Sequence, residues 1–267
     1  MAEAGVFAQS QDDISQAFTA TDDRYTVCYD SGKLKLDLNA SLEGHIHCVC
    51  GNTAKGLHDH TCSNQLYLPW DGTTELTSGS YYLTQDVTLT DPAGLMVGTN
   101  QINLCLNGFT IRNESGRAFY LQNSGGALNL CDHGQNTGAV EAVGVENESG
   151  GVVRIGSPSA SFGAYNVILR RIDTEDRKAV TEGGVINCAG KLALYNTTLE
   201  NGYAYKGGNL NMINVSKGVA VGCTFTGGQA VKTATGGDGS GGNIRLGGSK
   251  ADDPAMLLLK DCTVTNG

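Results

Sequence analysis

Short segments with alternating apolar positions recur along most of the chain. In the segments that begin at Leu192, Val219 and Leu257, every second residue is apolar, and Gly, Asn, Asp or Ser residues bound each segment. Alternation with a period of two predicts short β-strands that each bury one face. No longer window keeps the apolar spacing of an amphipathic helix. The pattern therefore predicts an all-β protein.

The strands belong to a sequence motif, here called a phrase, that recurs along the chain. A strand followed by Cys/Thr-Thr, an apolar residue, Thr or Glu, and then Asn/Gly-Gly occurs three times. Alignment of Thr197, Cys223 and Cys262 in these phrases gives spacings of 26 and 39 residues. Further upstream, Cys105 and Cys131 are also 26 residues apart. Self-similarity at such a period is typical of a solenoid, in which neighbouring coils stack to bury their apolar faces.

A second phrase, two glycines followed by a short apolar strand, begins at Gly183, Gly207 and Gly241 with spacings of 24 and 34 residues. Stacked strands lie about 4.8 Å apart. Asn209 and Asn243 would then occupy equivalent turns, and we expect their amides to form a ladder. A leucine-rich repeat is disfavoured because no L-x-x-L-x-L-x-x-N run occurs.

Two segments, 132–182 and 229–240, interrupt the period and are predicted to be inserts. Inserts in a solenoid become loops on one side, which is often the binding side. Within the first segment, 167–179 is expected to form a short helix. The LPWDG segment is expected to cover the start of the stack, with Trp70 as an apolar plug.

Composition and charge remove several functional classes. The chain has 267 residues with 38 Gly, only 4 Pro and a net charge of −9, which disfavours collagen, disorder, and binding to nucleic acid or anionic membranes. No apolar run approaches the roughly 20 residues of a membrane-spanning helix. The chain starts without a signal peptide and stops inside a repeated phrase, so we expect a piece of a longer protein.

Residues 45–62, HIHCVCGNTAKGLHDHTC, contain the strongest candidate for a metal site. In an extended strand Cys48 and Cys50 share one face, as do His60 and Cys62. A hairpin would bring the two pairs together as four nitrogen and sulfur ligands, the set that a structural Zn²⁺ ion requires. With four protein ligands no coordination position is open for catalysis.

Alternatives to this ligand set remain open. His58 is the main substitute ligand, whereas His45 and His47 fall on the other face of their strand. A disulfide from Cys62 to either upstream cysteine, with the histidines at the surface, is the competing interpretation. Five further cysteines lie singly in apolar patterns and are predicted to be buried and unpaired, namely Cys105, Cys131, Cys188, Cys223 and Cys262.

The repeated phrases GG-N-[IL] and C-T-[FV]-T-x-G resemble those of the right-handed parallel β-helix, the pectate-lyase-like solenoid, over about residues 75–267. The series HCVCG…DHTC, LPWDG, SGSYYLTQDVTL and LCLNGFTI resembles the opening of large surface proteins of Gram-positive gut bacteria. This resemblance implies a small Cys/His module over 1–64, a β-helix over 65–267, and an extracellular or cell wall-attached location.

The β-helix family includes polysaccharide lyases and glycoside hydrolases, which need an acidic cluster on one face. No candidate cluster in this chain recurs at the solenoid spacing, and each is also explained as a solvated charged loop. The candidates are Asp132 with His133, the acids Asp173, Glu175 and Asp176 beside Arg170, Arg171 and Arg177, and the pair Asp252 and Asp253.

These observations favour a non-enzymatic, adhesin-like binding module. The expected partner is a host or neighbouring macromolecule, such as a mucosal glycoprotein, a secreted immunoglobulin or a glycan. Tyr203 and Tyr205 are candidates for stacking on a sugar, although aromatic residues make up only 6% of the chain. The alternatives are a carbohydrate-active enzyme and a passive stalk.

Overall fold

The structure is a computed structural model, and its secondary structure is confined to strands wherever the chain is described. It describes residues 25–30, 33–38, 67–123, 125–132, 138–172, 177–233, 239–247 and 254–267. These residues contain no helix, and so none that could cross a lipid bilayer. The prediction of an all-β protein is confirmed for this part of the chain.

The strands are short, and most have three to five residues. The first twelve are β1 (Tyr25–Asp30), β2 (Lys33–Leu38), β3 (Leu68–Trp70), β4 (Gly79–Leu83), β5 (Val87–Leu89), β6 (Leu95–Met96), β7 (Gln101–Cys105), β8 (Thr110–Asn113), β9 (Phe119–Leu121), β10 (Ala127–Cys131), β11 (Ala139–Ala142) and β12 (Val153–Ile155). The others are β13 (Ser161–Tyr165), β14 (Ile168–Arg171), β15 (Val180–Glu182), β16 (Ile186–Cys188), β17 (Lys191–Tyr195), β18 (Thr198–Glu200), β19 (Tyr203–Lys206), β20 (Leu210–Ile213), β21 (Lys217–Val221), β22 (Thr224–Thr226), β23 (Gln229–Ala230), β24 (Ile244–Gly247), β25 (Met256–Lys260) and β26 (Thr263–Thr265).

From β3 onward the strands form four sheets in which every pairing is parallel. Sheet 1 has the order β25-β21-β17-β13-β10-β7-β4-β3, and sheet 2 the order β26-β22-β18-β14-β11-β8-β5. Sheet 3 has the order β24-β20-β16-β12-β9-β6, and the small sheet 4 the order β15-β19-β23. The chain visits sheets 1, 2 and 3 in turn, and from β15 it adds sheet 4 between sheets 2 and 3. This arrangement of stacked parallel sheets is consistent with a parallel β-helix.

The register of the sheets confirms the alignment of the repeated phrases. Cys131 pairs with Cys105, and Thr198, Thr224 and Thr263 are neighbours on consecutive strands of sheet 2. The residues just before these threonines, which include Cys223 and Cys262, therefore also follow one another along the stack. Segments far apart in the chain are lateral neighbours, as the solenoid interpretation requires.

Columns of inward-facing residues fill the interior. In sheet 1 one such column contains Leu104, Leu130, Ala164, Leu194 and Ala220, all of which are fully buried. Sheet 2 contributes a parallel column, made of Ile111, Val140, Leu169, Leu199 and Phe225. Burial of each large apolar side chain contributes about 1.5–3 kcal/mol, which explains why a coil requires its neighbours.

The segment 132–182 is not an insert, and the prediction that it interrupts the stack is wrong. It contains β11 to β15, of which β11 to β14 pair in register with the strands on both sides and β15 pairs with β19. Residues 168–171 of the expected helix form a strand of sheet 2. The segment has no C-T phrase, but Gly150 and Gly151 precede β12 just as Gly183 and Gly184 precede β16. Gly151 N donates to Gly183 O at 3.0 Å.

The second predicted insert, 229–240, also begins inside the fold. Gln229 and Ala230 form β23, the last strand of sheet 4, and Ala230 pairs with Ala204 of β19. Ser240 then forms a bridge to Lys206. The expectation of a flexible loop is therefore wrong at both ends of the segment, whereas 234–238 lie outside the described residues.

Tight turns between sheets 1 and 2 explain the Asn, Asp and Gly residues that bound the strands. Asn166, Asn196, Gly222 and Asp261 each follow a strand of sheet 1, and their φ angles are 56°, 47°, 64° and 52°. Residues with a β-carbon rarely adopt this left-handed conformation, and Asn and Asp tolerate it best. The same residue classes therefore recur in successive coils.

The predicted asparagine ladder is present at the corner before sheet 3. Asn209 Nδ2 donates to Asn243 Oδ1 at 2.6 Å, and both residues are buried. The amide oxygens of Asn209 and Asn243 accept hydrogen bonds from Gly202 N at 2.9 Å and Gly228 N at 3.1 Å. The side chains thus satisfy backbone groups that the turn leaves without strand partners.

The expected plug and the isolated cysteines are also confirmed in most respects. Trp70 is 2% exposed, belongs to the apolar core and donates from Nε1 to Thr74 O at 2.8 Å. Of these five cysteines, Cys105, Cys131, Cys188 and Cys223 are buried, whereas Cys262 is partly exposed. Burial raises the pKa of Cys188 to about 12, so this thiol is chemically inert at neutral pH.

Candidate binding face

The outward-facing residues of sheet 2 form a mainly polar surface, which we call the ladder face. It consists of two register columns, one residue per coil in each. The first column contains Thr110, Ala139, Ile168, Thr198, Thr224 and Thr263, and the second contains Arg112, Glu141, Arg170, Glu200, Thr226 and Thr265. Neighbouring residues in a column are about 4.8 Å apart because that is the spacing of the strands.

Charges of alternating sign pair along the second column. Arg112 Nη1 donates to Glu141 Oε2 at 2.8 Å, and Arg170 Nε donates to Glu141 Oε1 at 2.7 Å. Arg170 Nη1 continues the series to Glu200 Oε1 at 3.2 Å. The Glu141 side chain is only 8% exposed, whereas those of Arg112 and Arg170 are 43% and 39% exposed. A nearly buried carboxylate is therefore neutralised by two arginines that also face solvent.

The pKa values of the two arginines reflect this pairing. The pKa of Arg112 is raised chiefly by its hydrogen bond to Glu114, with a further contribution from Glu141. Burial lowers the pKa of Arg170, but hydrogen bonds to Glu141 and Glu200 outweigh it and leave the pKa above its ordinary value. Both guanidinium groups are fully charged at any physiological pH.

Hydroxyl groups replace charges in the later coils of the ladder face. Thr198, Thr224 and Thr263 form one column, and Thr265 Oγ1 donates to Thr226 Oγ1 at 3.1 Å in the other. These threonines are partly or fully exposed. The face therefore offers charged groups over one half of its length and hydroxyl groups over the other.

Sheet 4 adjoins the ladder face and holds the two tyrosines proposed to stack on a sugar. The Arg177 guanidinium carbon lies 4.4 Å from the centre of the Tyr203 ring, a cation–π contact that covers one ring face. Tyr205 is partly exposed on the same strand. Lys206, also on β19, pairs through Nζ with Glu182 Oε1 of the neighbouring strand β15 at 3.2 Å. Of the two tyrosines, Tyr203 already has a partner within the chain.

Asp132, one of the predicted candidate acids, is buried in the turn after β10. Its carboxylate accepts hydrogen bonds from the backbone amides of Gly108, at 3.1 Å, and Gly138. Backbone donors of this kind hold a turn together, and we assign Asp132 a structural role. Its predicted partner His133 lies outside the described residues.

Arg170 and Arg171, which the sequence grouped together, face opposite sides of sheet 2. Arg171 is 1% exposed and donates to two backbone carbonyl oxygens, from Nη2 to Lys178 O at 3.1 Å and from Nη1 to Tyr203 O at 3.5 Å. Burial, with a smaller effect of Arg177, lowers its pKa to about 10. Its side chain fills a corner beside Gly144 and Gly151, where a β-carbon would collide with it.

The remaining predicted site residues lie outside the described part of the chain. They are the proposed zinc ligands Cys48, Cys50, His60 and Cys62, the alternatives His45, His47 and His58, and the acids Asp173, Glu175, Asp176, Asp252 and Asp253. Within the described ranges, no group of three or more His, Cys, Asp or Glu residues is arranged to hold a metal ion.

A cavity of about 350 Å³ lies between the first coils of the stack. Its walls include the apolar residues Leu76, Ile102 and Phe119, and Glu75 and Asp91 contribute polar groups to its lining. Its volume falls in the lower range of small-molecule sites. The described residues around it contain no charged pair that would select a particular ligand.

Glu141 and Glu200 were not predicted from the sequence as members of a charged column. A signal for them existed, because Arg112, Glu141, Arg170 and Glu200 follow one another at intervals of 29, 29 and 30 residues. Only the assignment of 132–182 to the stack converts these intervals into neighbouring coils.

The chain matches no protein-family model, no curated protein and no solved structure. Its function must therefore be inferred from its residues and their arrangement.

Proposed function

We propose that this chain is an adhesin-like binding module that presents the ladder face to a macromolecule outside the cell. One observation carries the proposal. The ladder face is a regular array, exposed at its arginines and threonines, in which the nearly buried Glu141 and its arginine neighbours satisfy one another. Such a surface is rigid and costs little to order on binding, which favours recognition of an extended polar partner.

The chemistry of the face matches a polymer with repeated polar groups. Charged groups and hydroxyls recur at about the strand spacing of 4.8 Å, so a partner gains several hydrogen bonds at once. The expected partner is a host or neighbouring macromolecule, such as a mucosal glycoprotein, a secreted immunoglobulin or a glycan. The proposed location is the extracellular space or the cell wall.

The proposed architecture is a right-handed parallel β-helix over 65–267 that follows a zinc-stapled module over 1–64. Connections between parallel strands are right-handed in about 98% of cases, which supports the handedness. The zinc site rests on the C-x-C and H-x-C spacing of Cys48, Cys50, His60 and Cys62. Zn²⁺ held by four protein ligands would stabilise the module and leave the binding chemistry to the stack.

Catalysis on polysaccharides is the competing function. A glycosidase needs two carboxyl groups about 5–10 Å apart that flank the scissile bond. On the ladder face Glu141 and Glu200 are separated along their column by Arg170, which donates to both. Arg170 therefore engages both carboxylates, which do not form the open pair that a glycosidase needs.

Binding should be measured directly, with the purified chain and immobilised mucosal glycoprotein or secreted immunoglobulin. The test variant is Thr198→Arg combined with Thr224→Arg, which places two bulky cations on the hydroxyl half of the ladder face without touching the ion pairs. We expect its affinity to fall about tenfold or more. The matched control is Thr74→Arg, an exposed position away from sheet 2.

Three outcomes would overturn the proposal. Unchanged affinity in the double variant would remove the ladder face as the binding site. Absence of binding to either class of partner would favour a stalk. Release of reducing or unsaturated sugar ends from a polysaccharide by the wild-type chain would establish the enzyme instead.

A further inference from the structure

The outer face of sheet 1 carries a second apolar cluster, separate from the core of the stack. One register column on this face contains Tyr82, Cys105, Cys131, Tyr165, Tyr195 and Val221, and the next includes Ala193, Val219 and Leu258. These residues alternate with the inward-facing ones along each strand. The outside of sheet 1 thus carries an apolar cluster, whereas the outside of sheet 2 is mainly polar.

Residues of this outer face are nevertheless shielded from solvent. Tyr195 is 0% exposed, Tyr165 is 2% exposed and Val221 is 5% exposed. Sheets 2, 3 and 4 occupy other sides of the coil and cannot cover this surface. The cover must therefore come from a part of the molecule outside the coils.

The hairpin β1–β2 has the pattern that such a cover requires. Its antiparallel register pairs Tyr25 with Leu38, Val27 with Leu36 and Tyr29 with Leu34. Because alternate residues of a strand share a face, these six apolar residues belong to one face of the hairpin. The other face receives Thr26, Cys28, Asp30, Lys33, Lys35 and Asp37.

A contact between strands and the length of the hairpin strands both support packing of the hairpin on sheet 1. Strand β2 is in contact with β25, the last strand of sheet 1. A two-stranded hairpin is marginally stable by itself and needs a partner for its apolar face. A strand of six residues is about 20 Å long, which matches the width of about four neighbouring strands, β25 to β13. These strands carry Tyr165, Tyr195 and Val221.

We propose that the β1–β2 hairpin docks its apolar face on the outer face of sheet 1 over β13, β17, β21 and β25. The hairpin forms a third layer that joins the N-terminal region to the stack within one chain. It leaves the ladder face of sheet 2 free. This docking is independent of the partner that the ladder face binds.

The first test changes the hairpin in the full chain. Leu36→Asp places a charge on the apolar face of the hairpin and should release it, so that nitration of Tyr195 by tetranitromethane increases about tenfold or more. Lys35→Asp, one position away on the polar face, is the matched control and should leave the nitration rate unchanged. An unchanged rate in Leu36→Asp would overturn the proposal.

The second test changes a residue of the stack and measures hydrogen exchange in the hairpin. Val219→Asp places a charge on the outer face of sheet 1, and hydrogen exchange of the β1 and β2 amides should become as fast as in an unstructured peptide. Thr226→Asp, on sheet 2, should leave these amides protected. Hairpin protection that survives Val219→Asp would contradict the docking.

The mass of the wild-type chain in solution separates docking within one chain from exchange between two copies. A monomer with protected hairpin amides supports the proposal. A dimer whose hairpin protection disappears on dilution would mean that a second copy supplies the hairpin, which overturns docking within the chain.

Discussion

The Glu141 carboxylate accepts a hydrogen bond from the Arg112 guanidinium at 2.8 Å, although the two residues are 29 positions apart in the chain. Their strands, β11 and β8, are neighbours in sheet 2, and the register places one residue directly beside the other. Without this alternation of charge, arginines at the spacing of the strands would repel one another. The column therefore depends on one acid between two bases.

Replacement of the central acid tests this dependence. Glu141→Gln removes the counter-charge that Arg112 and Arg170 share and leaves them paired only with Glu114 and Glu200, so we expect a loss of about 1–3 kcal/mol in the free energy of unfolding. The loss should decrease at high salt because the arginines are partly exposed. Urea unfolding at low and high ionic strength measures both effects.

Glu114→Gln is the matched control for this variant. Glu114 also pairs with Arg112, but its side chain is 63% exposed. We expect a change below about 0.5 kcal/mol, as is usual for exposed ion pairs. Equal losses in the two variants would contradict a special role of the buried acid.

The asparagine corner should be intolerant of an apolar replacement. Asn209→Val introduces the residue type found at the equivalent corner in the coil of Gly183 but leaves Gly202 N without its acceptor. We expect a loss of about 1–3 kcal/mol, because an unsatisfied buried donor carries its full desolvation cost. Thermal or urea unfolding measures it, and exposed Asn123→Ala should change stability little.

The left-handed turns predict a difference between two small replacements. Asn196 is exposed and has a φ of 47°. Asn196→Ala should lose about 1–2 kcal/mol, because alanine keeps the strained β-carbon but lacks the short polar side chain that lets asparagine tolerate this conformation, whereas Asn196→Gly removes the β-carbon and should be nearly neutral. Glycine already occupies the equivalent turn at Gly222. Comparable losses for both variants would exclude backbone strain as the cause.

Thiol chemistry should single out Cys262 by its pH dependence. The hydrogen bond with the Cys223 thiol is the main cause that lowers the pKa of Cys262 to about 6 from 9.0, while the pKa of Cys223 is raised. The thiolate is the reactive form, so alkylation of Cys262 by iodoacetamide should decrease as pH falls through about 6. Peptide mass spectrometry measures the rate at each cysteine.

Cys223→Val removes the donor and introduces the residue type that Val167 supplies at the equivalent position two coils earlier. The alkylation midpoint of Cys262 should then move upward, toward the ordinary thiol value. Buried Cys188 should stay unlabelled over the same pH range in both proteins. A midpoint that does not move in Cys223→Val would exclude the thiol pair as the cause.

The zinc proposal predicts a metal content that depends on four named residues. Protein purified without added metal should contain about one zinc per chain by elemental analysis. Cys50→Ser should lower this content sharply, and His45→Ala, which lies outside the preferred ligand set, should preserve it. A wild-type chain without zinc, in which Cys62 is disulfide-bonded, would favour the competing interpretation.

Much of the fold was accessible from local patterns. Alternation predicted the strands, and the spacing of the Cys-Thr and Gly-Gly phrases predicted which of them are neighbours. The corner formed by Asn209 and Asn243 followed from the same spacing. These predictions succeeded because stacking repeats a local environment, so equivalent positions select the same residue types.

The candidate binding face was harder to predict from the sequence. The two neighbouring coils that hold Glu141 and Arg170 have no Cys-Thr phrase, so 132–182 was interpreted as an insert. These strands form because they pair with a strand on each side. Such pairing accepts segments that lack the phrase, such as AVEA and ILRR. Arg170 and Arg171 are adjacent in the chain, yet the pleat of the strand sends one to the ladder face and the other into a buried corner.

The sequence alone determined that the chain is all-β, that its strands recur, and that turns with Asn, Asp or Gly separate them, because these properties depend on residues close together in the chain. Tertiary structure decided which charges meet on the ladder face and which apolar residues of sheet 1 face outward. Those relationships join residues about 26 to 39 positions apart, and only the register of stacked coils brings such residues within hydrogen-bonding distance.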